Sequence, residues 1–277
     1  MVKERDISDV APNERPLEGM KVLELGQILA GAFTTTILGY FGAEVIKVEP
    51  PGEGDPIRNW RTVKDGTSLW WWSLARNKQS ITINLKSHEG QQLVRRLCEQ
   101  CDVLIENFRP GQMEKWGLGP TEIKQINPSL IYTRISGYGQ TGPYSSDPGF
   151  ASVCEGFGGF RYVNGVPGEI PVRPNLSLGD TLAGIHAALG VCMAYIRCLR
   201  HGEGKGQVVD VSIFESVFNM LEAVVPEYSG AGEVREPSGS TIKGIVPSNT
   251  YRCKDGKLVI IGANTKGMFE RLMRVIG

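Results

Sequence analysis

Six short runs of the chain are rich in aliphatic and β-branched residues: KVLELG (21–26), EVIKVEP (44–50), SITINL (80–85), DVLIEN (102–107), LIYTRIS (130–136) and QVVDVSI (207–213). Between them lie segments with helical spacing, over residues 30–41, 88–101, 110–117, 121–128 and 180–200. Strands that alternate with helices predict a mostly parallel sheet covered on both faces. The fold class expected is therefore α/β, with a Rossmann-like large domain.

Residues 1–15 read as a loose polar lead-in, and the large domain extends over 1–225, closing with a helix over 214–225. From about residue 226 the composition changes. PEYSGAGEVREPSGSTIKGIVPSN is loop-rich, TYRCKD and KLVIIGA bracket a turn at Asp255-Gly256, and a helix is expected over 266–276. Residues 226–277 thus read as a linker and the start of a smaller α+β domain.

The 30 basic and 30 acidic side chains balance. That argues against nucleic acid or a membrane surface as partner. No apolar run reaches the ~18 residues that span a bilayer. The N-terminal MVKERDISDV is charged and lacks the apolar core of a signal peptide, so the expected location is the cytoplasm. Cys98 and Cys101 form a C-x-x-C that closes a helix, where a thioredoxin-like pair would open one, and no second ligand pair at zinc spacing is evident. Buried free thiols are expected, and no metal.

The first strand-to-helix turn, Gly26-Gln27-Ile28-Leu29-Ala30-Gly31, invites a dinucleotide reading in which Glu49 holds a ribose. The glycines do not make G-x-G-x-x-G, and GEGKGQ (202–207) is no phosphate loop but a turn entering a strand. Trp70, Trp71 and Trp72 cannot share one face, so at least one of them should be buried.

Asp180 stands out. It lies in RPNLSLGDTLAG (173–184), a glycine-punctuated turn feeding a helix whose apolar residues recur at Leu182, Ile185, Leu189, Met193 and Ile196. Orphan N–H groups at a helix start stabilise an anion, so Asp180 is either an N-cap or an ionised carboxylate available as a nucleophile.

LGDTLAGIHAALG and GKGQVVDVSIFES resemble the class III CoA-transferases, the CaiB/BaiF family that includes formyl-CoA transferase and carnitine CoA-transferase. PLEGMKVLEL, GAEVIKVEPPGEGDP, ARNKQSITINLKSHEG, DVLIENFRPG and NPSLIYTRISGYGQTGP fit the same family in order. The resemblance makes Asp180 the catalytic aspartate. It places coenzyme A contacts on Leu29 and Ala30, on Ile83, Asn84 and Lys86, on Asn107, Phe108 and Arg109, and on Lys115. Phosphates favour cationic side chains, and ligands favour the carboxyl ends of parallel strands, which adds Arg76 and Lys78 in ARNK. Asn107 read by itself is equally a turn-former ahead of Pro110-Gly111.

Two departures narrow the chemistry. Formyl-CoA transferase carries glutamine at the position of Leu29, so oxalate-type geometry is disfavoured. Phe150 and Ala151, also expected beside the coenzyme, stand where related acyl-CoA racemases carry histidine and aspartate. Phenylalanine moves no proton, which disfavours racemisation.

What the resemblance implies is a transferase working through an aspartyl anhydride and an aspartyl-CoA thioester. Coenzyme A and acyl-CoA are substrates, with no permanently bound cofactor. GIVPSNTYRCKDGK (244–257) and the Gly-Phe at 149 point to members that use succinyl-CoA and a dicarboxylic acid. Backbone N–H groups at 156–159 or 239–244 are candidates for oxyanion stabilisation. An interlocked homodimer, or a heteromer with a paralogous subunit, is expected. Family chains continue beyond the point where this one stops, so the C-terminal part of the family fold is expected to be absent. A racemase and a non-catalytic CoA-binding subunit remain the alternatives.

Overall fold

The computed structural model describes residues 15–201 and 204–277; residues 1–14 of the polar lead-in, with its charged N-terminal run, and part of GEGKGQ lie outside them. The chain divides into two compact units, Met1–Cys154 with Ser177–Val217, and Glu155–Leu176 with Phe218–Gly277.

In the first unit the elements follow one another as β1 (Lys21–Glu24), α1 (Ala30–Tyr40), β2 (Glu44–Glu49), the small hairpin β3 (Val63–Lys64) and β4 (Thr67–Ser68), α2 (Leu69–Leu74), β5 (Lys78–Thr82), α3 (His88–Cys98), β6 (Val103–Glu106), α4 (Gln112–Lys115), α5 (Pro120–Ile126) and β7 (Ile131–Ser136). After the start of α6 (Ala151–Phe157), the unit resumes with α8 (Leu178–His201), β8 (Val208–Ser212) and most of α9 (Ile213–Phe218). The second unit holds α7 (Phe160–Val163), α10 (Val224–Ala231), β9 (Ser248–Arg252), β10 (Leu258–Gly262) and α11 (Lys266–Ile276).

Six strands form one sheet in the order β5-β2-β1-β6-β7-β8, and every pairing is parallel. The chain builds outward from β1 in one direction, then returns to β6 and builds in the other. The strand order therefore reverses between β1 and β6, the switch point at which such sheets bind ligands. All residues of β6 and β7 are buried, as expected of central strands covered on both faces. Alternation sorts the side chains. Val22, Val45, Val103 and Ile135 join the core under α1 and α8, whereas Leu23, Val48, Leu104 and Tyr132 join the core with Val94 of α3 and Ile123 of α5.

Three expectations shift. The strand expected over 80–85 runs Lys78–Thr82, because pairing with β2 begins at Val45–Lys78; after it the Ile83 N–H still donates to the Glu49 carbonyl at 2.9 Å, and the Asn84 side chain then accepts from the Lys86 N–H at 3.1 Å and turns the chain away. The helix expected over 214–225 stops at Phe218. Glu222 takes a left-handed φ of 52°, and α10 starts with Pro226 in its first turn, where a missing N–H is harmless. Finally, α8 is long and apolar enough to cross a membrane by length and composition, although the sequence shows no uninterrupted run of that kind. Asp180 and Arg197 bound the apolar stretch, and Thr181 and His186 interrupt it without making the helix hydrophilic. Its buried residues are small ones, Gly179 and Gly184 with Ala183, Ala187, Ala188, Val191 and Ala194, and the last five pack in the core beside α1 and the sheet.

In the second unit β9 and β10 pair antiparallel around the Asp255-Gly256 turn. The buried Glu155 carboxylate is ion-paired with Arg161 at 2.8 Å and Arg173 at 3.7 Å, and Arg235 bridges Glu222 and Glu227.

Gly206, at the entrance to β8, shows why that turn is glycine-rich. A Cβ there would lie 2.0 Å from the Leu130 carbonyl oxygen, a contact with rigid backbone. Gly206→Ala should destabilise the first unit by at least about 1–3 kcal/mol through this overpacking. Urea unfolding would check it, and an unchanged midpoint would refute the close approach.

Candidate active site

Glu24 at the carboxyl end of β1, Lys47 of β2 and Lys78 at the amino end of β5 bring charged side chains to the face that α1 covers. Glu24 and Lys47 are direct partners in the β1–β2 register. The Lys47 ammonium lies 2.7 Å from Glu24 Oε1 and 2.8 Å from Asp55 Oδ2, and donates to the Gly26 carbonyl at 2.8 Å. Glu24 also accepts from Thr35 Oγ1 of α1 at 2.6 Å and from Lys78 Nζ at 3.0 Å. Glu24, Lys47 and Asp55 are essentially inaccessible to solvent. Burial works against the charge on Glu24, but Lys47 and Lys78 outweigh it and hold the carboxyl at about 2. Burial likewise opposes the Lys47 ammonium, yet Glu24 and Asp55 raise its pKa; for Lys78 burial wins and lowers it.

This network shapes the β1–α1 loop. Asp55 accepts from the Ile28 N–H with both oxygens, at 3.1 and 3.2 Å. Asn107, just past β6, accepts from the Gln27 N–H at 2.7 Å and donates to the Gln27 carbonyl at 2.8 Å. Gly26 and Gly31 close around that amide: a Cβ on Gly26 would lie 3.0 Å from Asn107 Oδ1 and 3.2 Å from the Gly31 Cα. The two glycines thus serve a side-chain clamp across the switch point. Glu49, the ribose candidate of a dinucleotide reading, pairs with Arg58 at 2.6 and 2.7 Å and accepts from the Asp55 N–H and from Ser80.

The remaining candidate residues line up along the same edge of the sheet. Leu29 and Ala30 are buried at the start of α1, and Ile83 is buried just past β5 with Asn84 and Lys86 exposed beyond it. Phe108 packs edge-on against Trp116 at 5.1 Å, and its N–H donates to Glu106 Oε2 at 2.7 Å. Arg109 and Lys115 are exposed next to it. Two cations of the ARNK segment point elsewhere. Lys78 turns inward to Glu24 and the Ala32 carbonyl, and Arg76 stacks on Tyr40 and donates to its hydroxyl at 2.6 Å.

Asp180 lies in the first turn of α8, which starts two residues earlier than the spacing predicts. The turn is seated by small residues. A Cβ on Gly179 would lie 3.1 Å from the side chains of both Ala151 and Ile213, and one on Gly184 would lie 3.1 Å from the Ala30 carbonyl oxygen. Asp180 is therefore set between the carboxyl end of β8 and the start of α1. Ala151 is buried in that seat, whereas Phe150 is 71% exposed. The 156–159 and 239–244 segments belong to the second unit. Burial pushes the Cys98 thiol up to about 12 and Cys101 up to about 11, which makes both inert at neutral pH.

Glu24, Lys47 and Asp55 are the residues that sequence reasoning missed. A signal was present for two of them: Glu24 follows Val22 by two residues and Lys47 follows Val45 by two, so each charge shares a strand face with an apolar residue and must pair if that face is buried.

The sequence profile of the family described as CoA-transferase family III matches residues 17–277. Over 264 residues, 95% of this chain and 65% of the relative, the chain is 50% identical to the succinyl-CoA–D-citramalate CoA-transferase of Chloroflexus aurantiacus. It is 46% identical to the succinyl-CoA–L-malate CoA-transferase alpha subunit of the same organism, over 93% of this chain and 60% of that one. The chain thus spans less than two thirds of the length of either relative. Among solved structures, a CaiB/BaiF family protein from Brucella suis superimposes with a TM-score of 0.85 at 36% identity, covering 95% of this chain and 70% of its own.

Two outcomes follow from the buried ions. Lys47→Met leaves two carboxylates without their shared partner and should cost about 3–5 kcal/mol in urea unfolding. Glu24 is depressed in the folded state, so its contribution is complete above the ordinary carboxylate value of 4.5 and is lost as pH falls toward about 2. Unfolding midpoints measured across that interval should drop for the parent chain and drop less for Glu24→Gln.

Proposed function

The chain belongs to CoA-transferase family III, and from that membership we propose that it moves coenzyme A from succinyl-CoA to a dicarboxylic acid, with Asp180 as nucleophile. The observation that carries this reading is the placement of Asp180 in the first turn of α8, seated by glycines against the start of α1 and the end of β8. A helix start favours an anionic side chain in its first turn, which suits an aspartate as nucleophile.

In the proposed sequence an Asp180 carboxylate oxygen attacks the thioester carbonyl of succinyl-CoA. The C–S bond breaks, coenzyme A leaves as thiolate, and a mixed anhydride forms. The thiolate then attacks the Asp180 side-chain carbonyl, expelling succinate and leaving an aspartyl-CoA thioester. The acceptor carboxylate attacks that carbonyl, releasing thiolate again, and the thiolate takes the acceptor acyl group and frees Asp180. No proton or electron is gained or lost, so the energy of the thioester is kept through every step. Coenzyme A is a substrate in this scheme and no resident cofactor is invoked.

Succinyl-CoA as donor and a dicarboxylate as acceptor rest on the relatives, which are named for citramalate and malate. Relatives named as the alpha and beta subunits of an L-malate CoA-transferase support a heteromer with a paralogous partner; a homodimer is the alternative assembly. Exposed Phe150, in place of a proton-transferring residue, favours transfer over racemisation.

The test is covalent trapping. Incubation with succinyl-CoA followed by hydroxylamine or borohydride should modify Asp180, as read by mass spectrometry. Asp180→Asn should show no adduct and should lose at least about a thousandfold in transfer, the scale of removing a nucleophile. A folded chain that binds coenzyme A yet leaves Asp180 unmodified would refute the reading and favour a non-catalytic subunit.

A further inference from the structure

Ile28 takes a φ of +66°, in the left-handed region. For a β-branched residue this is a true outlier, held only where its surroundings over-determine it. Here they do. Within three consecutive residues every backbone group that faces the network is gripped by a side chain from a distant segment. Lys47 binds the Gly26 carbonyl at 2.8 Å, Asn107 binds both the N–H and the carbonyl of Gln27, and Asp55 binds the Ile28 N–H with both oxygens. Asp55 is itself fixed, since its own N–H donates to Glu49 at 2.8 Å, its Oδ1 accepts from the Ile57 N–H at 3.0 Å, and its Oδ2 faces Lys47 at 2.8 Å.

The pairing of β1 with β2 and with β6 ends at Glu24, so Ile28 lies outside the strand ladder. A strained loop at the switch point, braced by fully buried ions, is the mark of a surface prepared for a ligand. We propose that Asp55 is a positioning residue for acyl-CoA: by holding Ile28 in the left-handed conformation it fixes residues 26–30 in the shape that receives the coenzyme. This rests on the transferase reading for the identity of the ligand. Asp55 touches neither ligand nor reacting atoms in this scheme and acts through the Ile28 N–H.

The test is rescue by glycine, which adopts a positive φ without a clamp. The full chain, Asp55→Asn, Asp55→Glu, Ile28→Gly and the two double variants are compared by calorimetric binding of coenzyme A and by amide hydrogen exchange of the 26–30 segment. If the unclamped loop holds the receptive shape about a tenth of the time, the Kd of Asp55→Asn rises about ten-fold. Exchange of the segment should accelerate in parallel. Adding Ile28→Gly should restore Kd to within about three-fold of the parent, because the required conformation is no longer strained. Asp55→Glu keeps the charge beside Lys47 but misplaces the oxygens by one methylene, and serves if Asp55→Asn does not fold. It should also weaken binding and be rescued.

Binding unchanged in both Asp55 variants would overturn the proposal. So would weakened binding that Ile28→Gly leaves uncorrected, since Asp55 would then serve the ion network alone. A parent chain that binds no coenzyme A would sink the transferase reading and the ligand named here together. Normal parent binding with either of the first two results would sink this inference by itself.

Discussion

The Lys47 ammonium, buried between Glu24 and Asp55, is the interaction on which the rest of this site depends. It joins β1, β2 and the segment after β2 at one point, and it reaches the Gly26 carbonyl as well. Withdrawing such ions from water is expensive and is offset only by close pairing and by hydrogen bonds to the remaining lone pairs and protons. Every member meets that condition. Glu24 is served by two lysines and a threonine, and Asp55 by Lys47 and two backbone N–H groups. With Lys78 included, two cations face two anions, so the cluster is neutral as a whole and tolerates its low-dielectric surroundings.

The chemistry proposed for Asp180 needs a different environment from that of Glu24. A nucleophile must be ionised yet reachable, whereas Glu24 is ionised and sealed. The protein separates the two by location. Glu24 lies under α1 inside the sheet, while Asp180 sits half-buried at the start of α8. Small residues set that position. Gly179 and Gly184 let the helix start approach Ala151, Ile213 and Ala30 at distances that larger side chains would forbid. Asn107 then ties the end of β6 to the β1–α1 loop, so the two lips of the switch point are joined by one side chain.

Much of this was legible beforehand. The alternation of apolar strands with helices announced the parallel sheet, and the motifs around Asp180 announced the family. The failures have physical causes. The end expected near residue 225 for the helix over 214–225 fails because helical spacing does not reveal a left-handed residue such as Glu222, which breaks the helix after Phe218. Lys78 looks like a phosphate ligand by its neighbours in ARNK, but its register opposite Val45 turns its ammonium under α1 toward Glu24. Asn107 left two readings open, turn-former and ligand contact; its amide is engaged by the backbone of Gln27 across the switch point.

The linear sequence by itself determined the element types, the parallel sheet and the family, because these follow from periodicity and from motifs local in the chain. It also contained the charges of β1, β2 and β5, Glu24, Lys47 and Lys78 among them. Only the tertiary structure decided how those charges pair, since Glu24, Lys47, Asp55 and Lys78 come from four separate segments whose register is settled by strand pairing. The same holds for Ile28. Nothing in its neighbours calls for a left-handed isoleucine, and its conformation is imposed by an aspartate 27 residues away. Local sequence carries intrinsic preference, and a preference is overridden only by contacts that exist once the chain has folded.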